Sequence, residues 1–199
     1  RFLSFIYLHY YTKLLLFYII ERKKGVIMDL LELLKKRYSV RKFDGRTVEK
    51  EKLDLILQAG RVAPTAVNFQ PQRVLVIESE EALEKLKSCT PYHFNAPLAL
   101  LICFDKNVSW KRSHDNYEMG AVDASIVTTQ MMLEVENLGL GTTWVGSFKT
   151  ELLRTSFNIP ENYEPVAILP VGYPAQDSVP NPHHNERYEL NHTVFYNSF

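Results

Sequence analysis

The feature that most constrains the fold is the uninterrupted apolar run over residues 98–104, which holds no charged side chain. A run of this kind predicts a strand buried inside a core. The chain can supply such a core, because it has 199 residues of which 46% are hydrophobic. Its 23 basic and 23 acidic side chains give a formal net charge of zero. The sequence therefore predicts a single folded domain and no nucleic-acid partner.

Helices and strands are predicted to alternate irregularly around this run. A first helix is capped by Asp29, and a second opens at Thr47. Further strands are expected at residues 73–78, 142–146 and 164–171, and further helices at residues 79–87, at residues 116–138 and from Thr150. One face of the second helix carries Leu53, Ile56, Leu57 and Gly60. One face of the long helix carries Met119, Val122, Ile126 and Leu133. Those faces are expected to be buried.

Residues 1–27 differ from the remainder of the chain. Residues 2–20 are rich in Phe, Tyr, Leu and Ile and precede a basic cluster, as in a membrane helix with its cytoplasmic end. Lys13 argues against a membrane helix, because a charge at mid-span costs about 2.5–3.5 kcal/mol. Met28 begins a stretch that looks like a natural start. We expect residues 28–199 to form the domain and residues 1–27 to be an upstream or non-native extension, with a membrane anchor as the alternative.

Cysteines and histidines exclude two classes of site. The chain has only two cysteines, Cys89 and Cys103, too few for a disulfide framework. A reducing cytoplasm is therefore expected, with Cys103 as an inert core residue inside the apolar run. None of the six histidines stands at a metal-binding spacing, so no metal site is expected.

The first of three motifs is RYSVR at residues 37–41. In an extended segment Arg37, Ser39 and Arg41 point to the same side, so two guanidinium groups and a hydroxyl can converge on one dianion. A phosphate is a ligand of that kind. Taken alone, so short a pattern is also typical of a solvated surface segment or a kinase-type site.

The second motif, APTAVNFQP at residues 63–71, is a loop bracketed by Pro64 and Pro71. Thr65, Asn68 and Gln70 offer hydrogen-bond donors and acceptors to a ligand. The alternative is that Asn68 and Gln70 only cap local backbone groups.

The third motif, GLGTTWVGSF at residues 139–148, combines a helix end at Gly139 with backbone that could approach a flat ligand. It is not a dinucleotide-binding fingerprint, because Trp144 stands where G-x-G-x-x-G requires glycine. Ser39 and Lys42 form an S-x-x-K pattern, but the companion motifs of penicillin-binding enzymes are absent.

In this order and at these spacings the three motifs resemble those of the nitroreductase family of FMN-dependent oxidoreductases, over about residues 28–196. Residues 63–71 closely match the family pattern APS-x-x-N-x-QP, and residues 139–148 are similar to GLGTxWIGxF. The resemblance implies an α+β fold with a mixed, mostly antiparallel sheet flanked by helices. It also implies an intertwined homodimer with FMN at the subunit interface, in which residues 174–199 wrap around the partner.

The same resemblance implies roles for individual residues. The FMN phosphate would be held by the first motif and by Arg187, although Asn185 stands where some members carry lysine. The second motif would face the ribityl chain and the pyrimidine edge, and the third would lie against the isoalloxazine ring, with Gly146 and Ser147 near N5 and O4. The implied FMN-binding residues are Arg37, Ser39, Arg41, Pro64, Thr65, Asn68, Gln70, Trp144, Val145, Gly146, Ser147 and Arg187.

Members of this family take hydride from NADH or NADPH through flavin N5 and pass it to an electron-poor acceptor, a nitroaromatic or a quinone, by a ping-pong mechanism. Because the flavin carries the chemistry, no catalytic side chain is required. The alternatives are a noncatalytic flavin-binding or storage module and a specialised reaction such as dehalogenation. The choice between NADH and NADPH and the acceptor stay open at this stage.

Overall fold

The computed structural model describes residues 29–199, which fall into two compact units divided between Lys36 and Arg37. The described part of the first unit contains helix α1 (Leu30–Lys36), where Leu31 N–H donates to Asp29 Oδ1 at 3.0 Å. The predicted Asp29 cap is thus confirmed. The expectations for residues 1–27 lie outside the described residues. Among residues 29–199, no helix combines the length and the apolar character needed to cross a membrane.

The second unit is built on a sheet of four strands, β1 (Gln72–Ile77), β2 (Leu98–Asp105), β3 (Gly141–Thr142) and β4 (Tyr163–Gly172). Their order is β1-β2-β4-β3, and every neighbouring pair is antiparallel. A parallel bridge between Ser39 and Thr142 makes the pairing mixed. The predicted strand at residues 98–104 is β2.

Both faces of β2 are buried, which explains why its sequence is apolar without interruption. Successive side chains of a strand point to opposite faces. Leu100 and Ile102 pack with helices α2 (Lys50–Arg61) and α4 (Gly120–Asn137). Leu101 and Cys103 pack with helices α3 (Glu80–Cys89) and α5 (Thr150–Phe157). A sheet covered by helices on each face is an α+β architecture, as predicted.

Two helix starts test the predicted capping. Ser79 caps α3 as expected, since Ala82 N–H donates to Ser79 Oγ at 3.2 Å. The prediction that Thr47 opens the second helix is wrong, because that helix, α2, begins at Lys50 after Glu49 and has no side-chain cap. The Glu49 carboxylate instead accepts from the Tyr173 hydroxyl at 2.7 Å. A tertiary contact thus takes the place of a local cap.

The predicted inner face of α2 is confirmed by the burial of Leu53, Ile56 and Gly60, whereas the predicted inner face of α4 is wrong. The structure buries Ala124, Val127, Met131 and Val135, which lie on a different side from Met119, Val122, Ile126 and Leu133. Ile126 is 37% exposed. Apolar residues surround most of α4, so periodicity alone did not identify the inner face. Close packing on α2 identifies it, because a Cβ on Gly60 would lie 2.9 Å from Met131.

Both cysteines are buried, and neither forms a disulfide bond. Burial raises the pKa of the Cys103 thiol to about 11, so this residue stays protonated at neutral pH. The prediction that Cys103 is an inert core residue agrees with that environment.

Candidate functional site

The first motif is an extended segment beside β3. Val40 N–H donates to Thr142 O at 3.0 Å, and Ser39 forms the parallel bridge to the same residue. Val40 is fully buried, and a Cβ on Gly141 would lie only 2.6 Å from it. Gly141 therefore allows the two segments to approach, which brings the first motif against the third.

On one side of this segment, Tyr38 and Lys42 contact the start of the C-terminal tail, residues 174–199. Tyr38 Oη donates to Ser178 Oγ at 3.1 Å, and Lys42 Nζ pairs with Asp177 at 2.6 Å. The alternation of side chains then places the odd-numbered residues Arg37, Ser39 and Arg41 on the other side.

The arginines of the first motif are not neutralised by acids. Arg41 Nη1 donates to the Ser39 carbonyl at 3.1 Å. Within residues 29–199 no carboxylate pairs with Arg37 or Arg41, whereas Arg46, Arg112 and Arg154 each have an acidic partner. The charges of Arg37 and Arg41 thus remain available to an anionic ligand.

Arg41 opens onto a cavity of about 260 Å³ whose other walls come from the third motif and from a turn after α3. Its lining residues are Arg41, Tyr92, Phe94, Thr143, Trp144, Val145, Gly146 and Ser147. Buried Thr90 donates through Oγ1 to the Ser147 carbonyl at 2.7 Å and so fixes that part of the wall. The Gly146 and Ser147 N–H groups have no acceptor within the described residues. They are free donors at the cavity edge.

The turn after α3 gives the cavity an aromatic side. The rings of Tyr92 and Phe94 lie 6.1 Å apart and are tilted by 41°. Between them, burial lowers the pKa of His93, and the nearby charge of Lys87 lowers it further. His93 Nδ1 also accepts from Asn95 N–H at 3.0 Å, which favours the neutral ring. The turn therefore presents aromatic groups without adding positive charge at neutral pH.

The second motif, residues 63–71, contains a strained loop at residues 64–71. It contains the 3₁₀ turn Ala66–Asn68 and three non-glycine residues with positive φ, namely Val67 at 53°, Asn68 at 57° and Gln70 at 52°. The left-handed region is unfavourable for a β-branched residue such as Val67. Strain of this kind persists only where surrounding contacts impose it, and it concentrates at functional sites.

Several contacts hold this loop. Thr65 Oγ1 accepts from Gln70 N–H at 3.1 Å. Ala66 N–H donates to Asp123 Oδ1 at 2.8 Å. Arg73 Nη1 donates to the Gln70 carbonyl at 3.1 Å. Gln70 Nε2 donates to the Asn68 carbonyl at 3.3 Å, so the local-cap alternative applies to Gln70. Both Asn68 and Gln70 lie exposed on the surface of the loop.

Within one chain the structure brings together only part of the predicted site. Arg41 and the four residues Trp144, Val145, Gly146 and Ser147 share the cavity, and Arg37 and Ser39 belong to the extended segment that carries Arg41. The loop residues Pro64, Thr65, Asn68 and Gln70 do not line that cavity. Arg187 lies in the tail, where it donates to the carbonyls of His184 and Glu186.

A protein-family model described as the Nitroreductase family matches residues 34–90 and 91–173. The chain belongs to the nitroreductase family. A solved nitroreductase family protein from Clostridium difficile 630 is 41% identical, with a TM-score of 0.81 over 86% of this chain and 100% of the other. An FMN-dependent nitroreductase from Clostridium difficile R20291 is 30% identical, with a TM-score of 0.70 over 84% and 98% of the two chains.

The names of two further relatives agree on the kind of protein. A Methanothermobacter thermautotrophicus protein assigned to the NADH dehydrogenases and NAD(P)H nitroreductases is 34% identical over 75% of this chain and 80% of its own length. The FMN reductase [NAD(P)H] of Bacillus subtilis is 28% identical over 77% of this chain and 69% of its own length. This member of the nitroreductase family is an oxidoreductase.

Sequence reasoning missed four residues of the candidate site and its surroundings: Thr90, Tyr92, Phe94 and Asp123. The two aromatic residues stand directly after Thr90-Pro91, a turn signal that could have singled them out. Asp123 interrupts the apolar pattern of α4, and that interruption was its only signal in the sequence.

Proposed function

We propose that this nitroreductase is an FMN-dependent oxidoreductase that passes hydride from NADH or NADPH to an electron-poor acceptor, a nitroaromatic or a quinone, by a ping-pong mechanism. One observation carries the proposal. At a single cavity, an arginine with no acidic partner among residues 29–199 meets backbone N–H donors and three aromatic side chains. The FMN and NAD(P)H in the names of the Bacillus subtilis and Clostridium difficile relatives support the cofactor and the donor.

The donor set of the cavity fits FMN. Arg37, Ser39 and Arg41 offer charge-assisted bonds of the kind that bind a phosphate. The N–H groups of Gly146 and Ser147 have no acceptor in the described part of the chain and suit the polar edge of a flavin ring. The nearest atom to a Cβ built on Gly146 is Trp144 Nε1 at 3.7 Å, so the backbone there is open to a flat ligand.

The site also indicates a second copy of the chain. A cavity of about 260 Å³ lies just below the roughly 300–1,000 Å³ of ordinary ligand sites, which is consistent with a site that a second chain enlarges. The loop with Asn68 and Gln70 lies outside this cavity, and Val67 and Phe69 expose apolar side chains beside those amides. We place the loop of one subunit at the cavity of its partner in a homodimer, with Arg187 and the tail completing the site.

When bound, FMN supplies hydride transfer at N5 in both half-reactions. The protein then needs no nucleophile and no general acid. The first motif holds the phosphate, and the Gly146 and Ser147 N–H groups orient the ring edge. Tyr92 and Phe94 form an apolar wall suited to a flat, electron-poor acceptor and help to exclude water.

The test is purification of the chain from Met28, followed by an absorbance spectrum, size-exclusion chromatography and anaerobic titration with NADH and NADPH. We expect a yellow dimer with FMN bound, bleached by at least one nicotinamide donor and reoxidised by a quinone. A colourless monomer that takes up no added FMN would overturn the proposal. A fully loaded protein that NAD(P)H does not reduce would instead identify a noncatalytic flavin-binding module.

A further inference from the structure

Asp123 is a buried acid with an unusual set of contacts. It lies in the first turn of α4, and it is only 1% exposed. Its Oδ1 accepts from Ala66 N–H at 2.8 Å. Its Oδ2 is buried and has no hydrogen-bond partner within residues 29–199.

This arrangement is unfavourable for the core alone. A buried polar oxygen without a donor destabilises the folded state. The positive end of the α4 dipole offsets part of that cost. The side-chain hydrogen bond of Asp123 that the structure describes goes to the backbone of the 64–71 loop. Its effect is therefore local to that loop.

Ala66 is the residue at which the strained part of the loop begins. The next two residues, Val67 and Asn68, adopt left-handed φ angles, and Gln70 adopts another. At the other end of the loop, Arg73 holds the Gln70 carbonyl and is itself paired with Asp105 at 3.0 Å. Side chains outside the loop thus bond to its backbone near both ends. The bond from Ala66 to Asp123 is the one nearer to Val67 and Asn68.

We propose that Asp123 is a positioning residue for flavin binding, a role that rests on the proposed function. By fixing the Ala66 N–H, it keeps the loop in the conformation that displays the Asn68 and Gln70 amides. Those amides act on the part of the cofactor that FMN and riboflavin share. Asp123 therefore acts on the ring and ribityl chain through the loop, independently of the phosphate.

The test measures FMN and riboflavin dissociation constants for Asp123→Ala and Asp123→Asn, with bound-flavin spectra. Asp123→Ala removes the acceptor and is expected to weaken both ligands by about the same factor, on the order of tenfold. Asp123→Asn keeps an oxygen for the Ala66 N–H and is expected to stay within about threefold of the wild type. Rescue by asparagine identifies the hydrogen bond as the cause.

Thr128→Ala is the matched control. Thr128 is fully buried on the same helix, but its hydroxyl donates to Ala124 O inside α4, and among residues 29–199 it forms no hydrogen bond with the loop. It is expected to lower the melting temperature while leaving both flavin affinities unchanged. A loss of affinity in Thr128→Ala equal to that in Asp123→Ala would overturn the positioning role, because general destabilisation would then explain both.

Other outcomes are equally decisive. Wild-type affinity in Asp123→Ala, or equal loss in Asp123→Asn and Asp123→Ala, would overturn the role of the Ala66 bond. Failure of the wild type itself to bind FMN would overturn the proposed function instead. If Asp123→Ala does not fold, hydrogen exchange of the wild type decides: the Ala66 amide is expected to be protected, and fast exchange there overturns the proposal.

Discussion

Arg41 and Gly146 are far apart in sequence, yet they line one cavity because the first motif pairs with β3. Each has a different physical role in the proposed site. The arginine contributes charge that no described acid neutralises, and the glycine contributes exposed backbone. Substitutions at these positions should therefore separate phosphate binding, ring binding and fold stability.

Replacing Arg37 or Arg41 by alanine should weaken FMN binding by about ten- to a hundredfold, equivalent to about 1.5–3 kcal/mol, because charge-assisted bonds to the phosphate are lost. Riboflavin, which has no phosphate, should be affected little. Hydride transfer at saturating FMN should also change little. Lys42→Ala is the control, since it removes an adjacent charge on the side that faces Asp177. Equal loss for both ligands in the arginine variants would place these residues in folding or dimer contacts.

Alanine substitutions at two glycines of the third motif should change different properties, stability in one variant and flavin affinity in the other. In Gly141→Ala the new methyl group would lie 2.6 Å from Val40, so the folded state should lose about 1–3 kcal/mol, measured by urea unfolding. In Gly146→Ala the nearest atom is 3.7 Å away, so stability of the apoprotein should be unchanged. Flavin affinity should nevertheless fall in Gly146→Ala, because the methyl group enters the cavity. Unchanged flavin affinity in that variant would remove Gly146 from the proposed ring site.

At the scale of elements, β1 and β2 are joined at one end by a polar cluster around Asp105. Its carboxylate accepts from Asn162 Nδ2 at 2.7 Å and from Asn107 N–H at 3.0 Å, and it pairs with Arg73. Burial by itself would raise the pKa of Asp105, but these bonds outweigh burial and hold the pKa below its ordinary value. The same arginine holds the 64–71 loop, so the cluster links the sheet to the proposed site.

Asp105 should therefore contribute stability that depends on pH. Because its pKa is lower in the folded state, that contribution is complete above the unfolded pKa of about 3.9 and is lost as pH falls through the folded value. Asp105→Asn should be less stable at pH 7 and should lose less stability on acidification, measured by urea unfolding at several pH values. Asp54→Asn, at an exposed site on α2, should change stability at pH 7 by less than about 0.5 kcal/mol. An unchanged acid slope in Asp105→Asn would contradict this account.

At the scale of the whole molecule, apolar side chains remain exposed on α2, on α4 and in the tail. They include Leu55, Ile126, Leu190, Phe195 and Phe199. Where exposed apolar side chains form a contiguous patch, they are typical of a surface that another chain covers. The exposed apolar side chains, and the position of the 64–71 loop outside the cavity, favour the proposed homodimer.

Ile126→Glu should disrupt that dimer, because it places a charge on the apolar outer side of α4. The variant should sediment as a monomer and lose FMN, since the loop of the second subunit would no longer reach the cavity. Leu152→Glu on α5 is a matched control, because the exposed fractions are 37% for Ile126 and 38% for Leu152, and α5 packs on the opposite face of the sheet. A dimeric, FMN-loaded Ile126→Glu protein would exclude this face of α4 from the interface.

The sequence by itself determined the elements whose signals are local. The apolar run of β2, the Ser79 cap of α3 and the turn glycine Gly139, with a φ of 72°, each depend on neighbouring residues and were predicted correctly. The three motifs also indicated the family, because their order and spacing are properties of the chain alone. Features of this kind can be predicted from neighbouring residues and from motif order, without information on distant contacts.

Tertiary structure alone decided the features that depend on distant partners. The inner face of α4 follows from its packing on α2 and β2, since its sequence is apolar around most of the helix. Tyr92 and Phe94 enter the cavity because the turn after α3 lies beside the third motif. Asp123 meets Ala66 only because α4 passes behind the loop. These contacts join residues remote in sequence, and hydrophobic periodicity carries no information about such pairings.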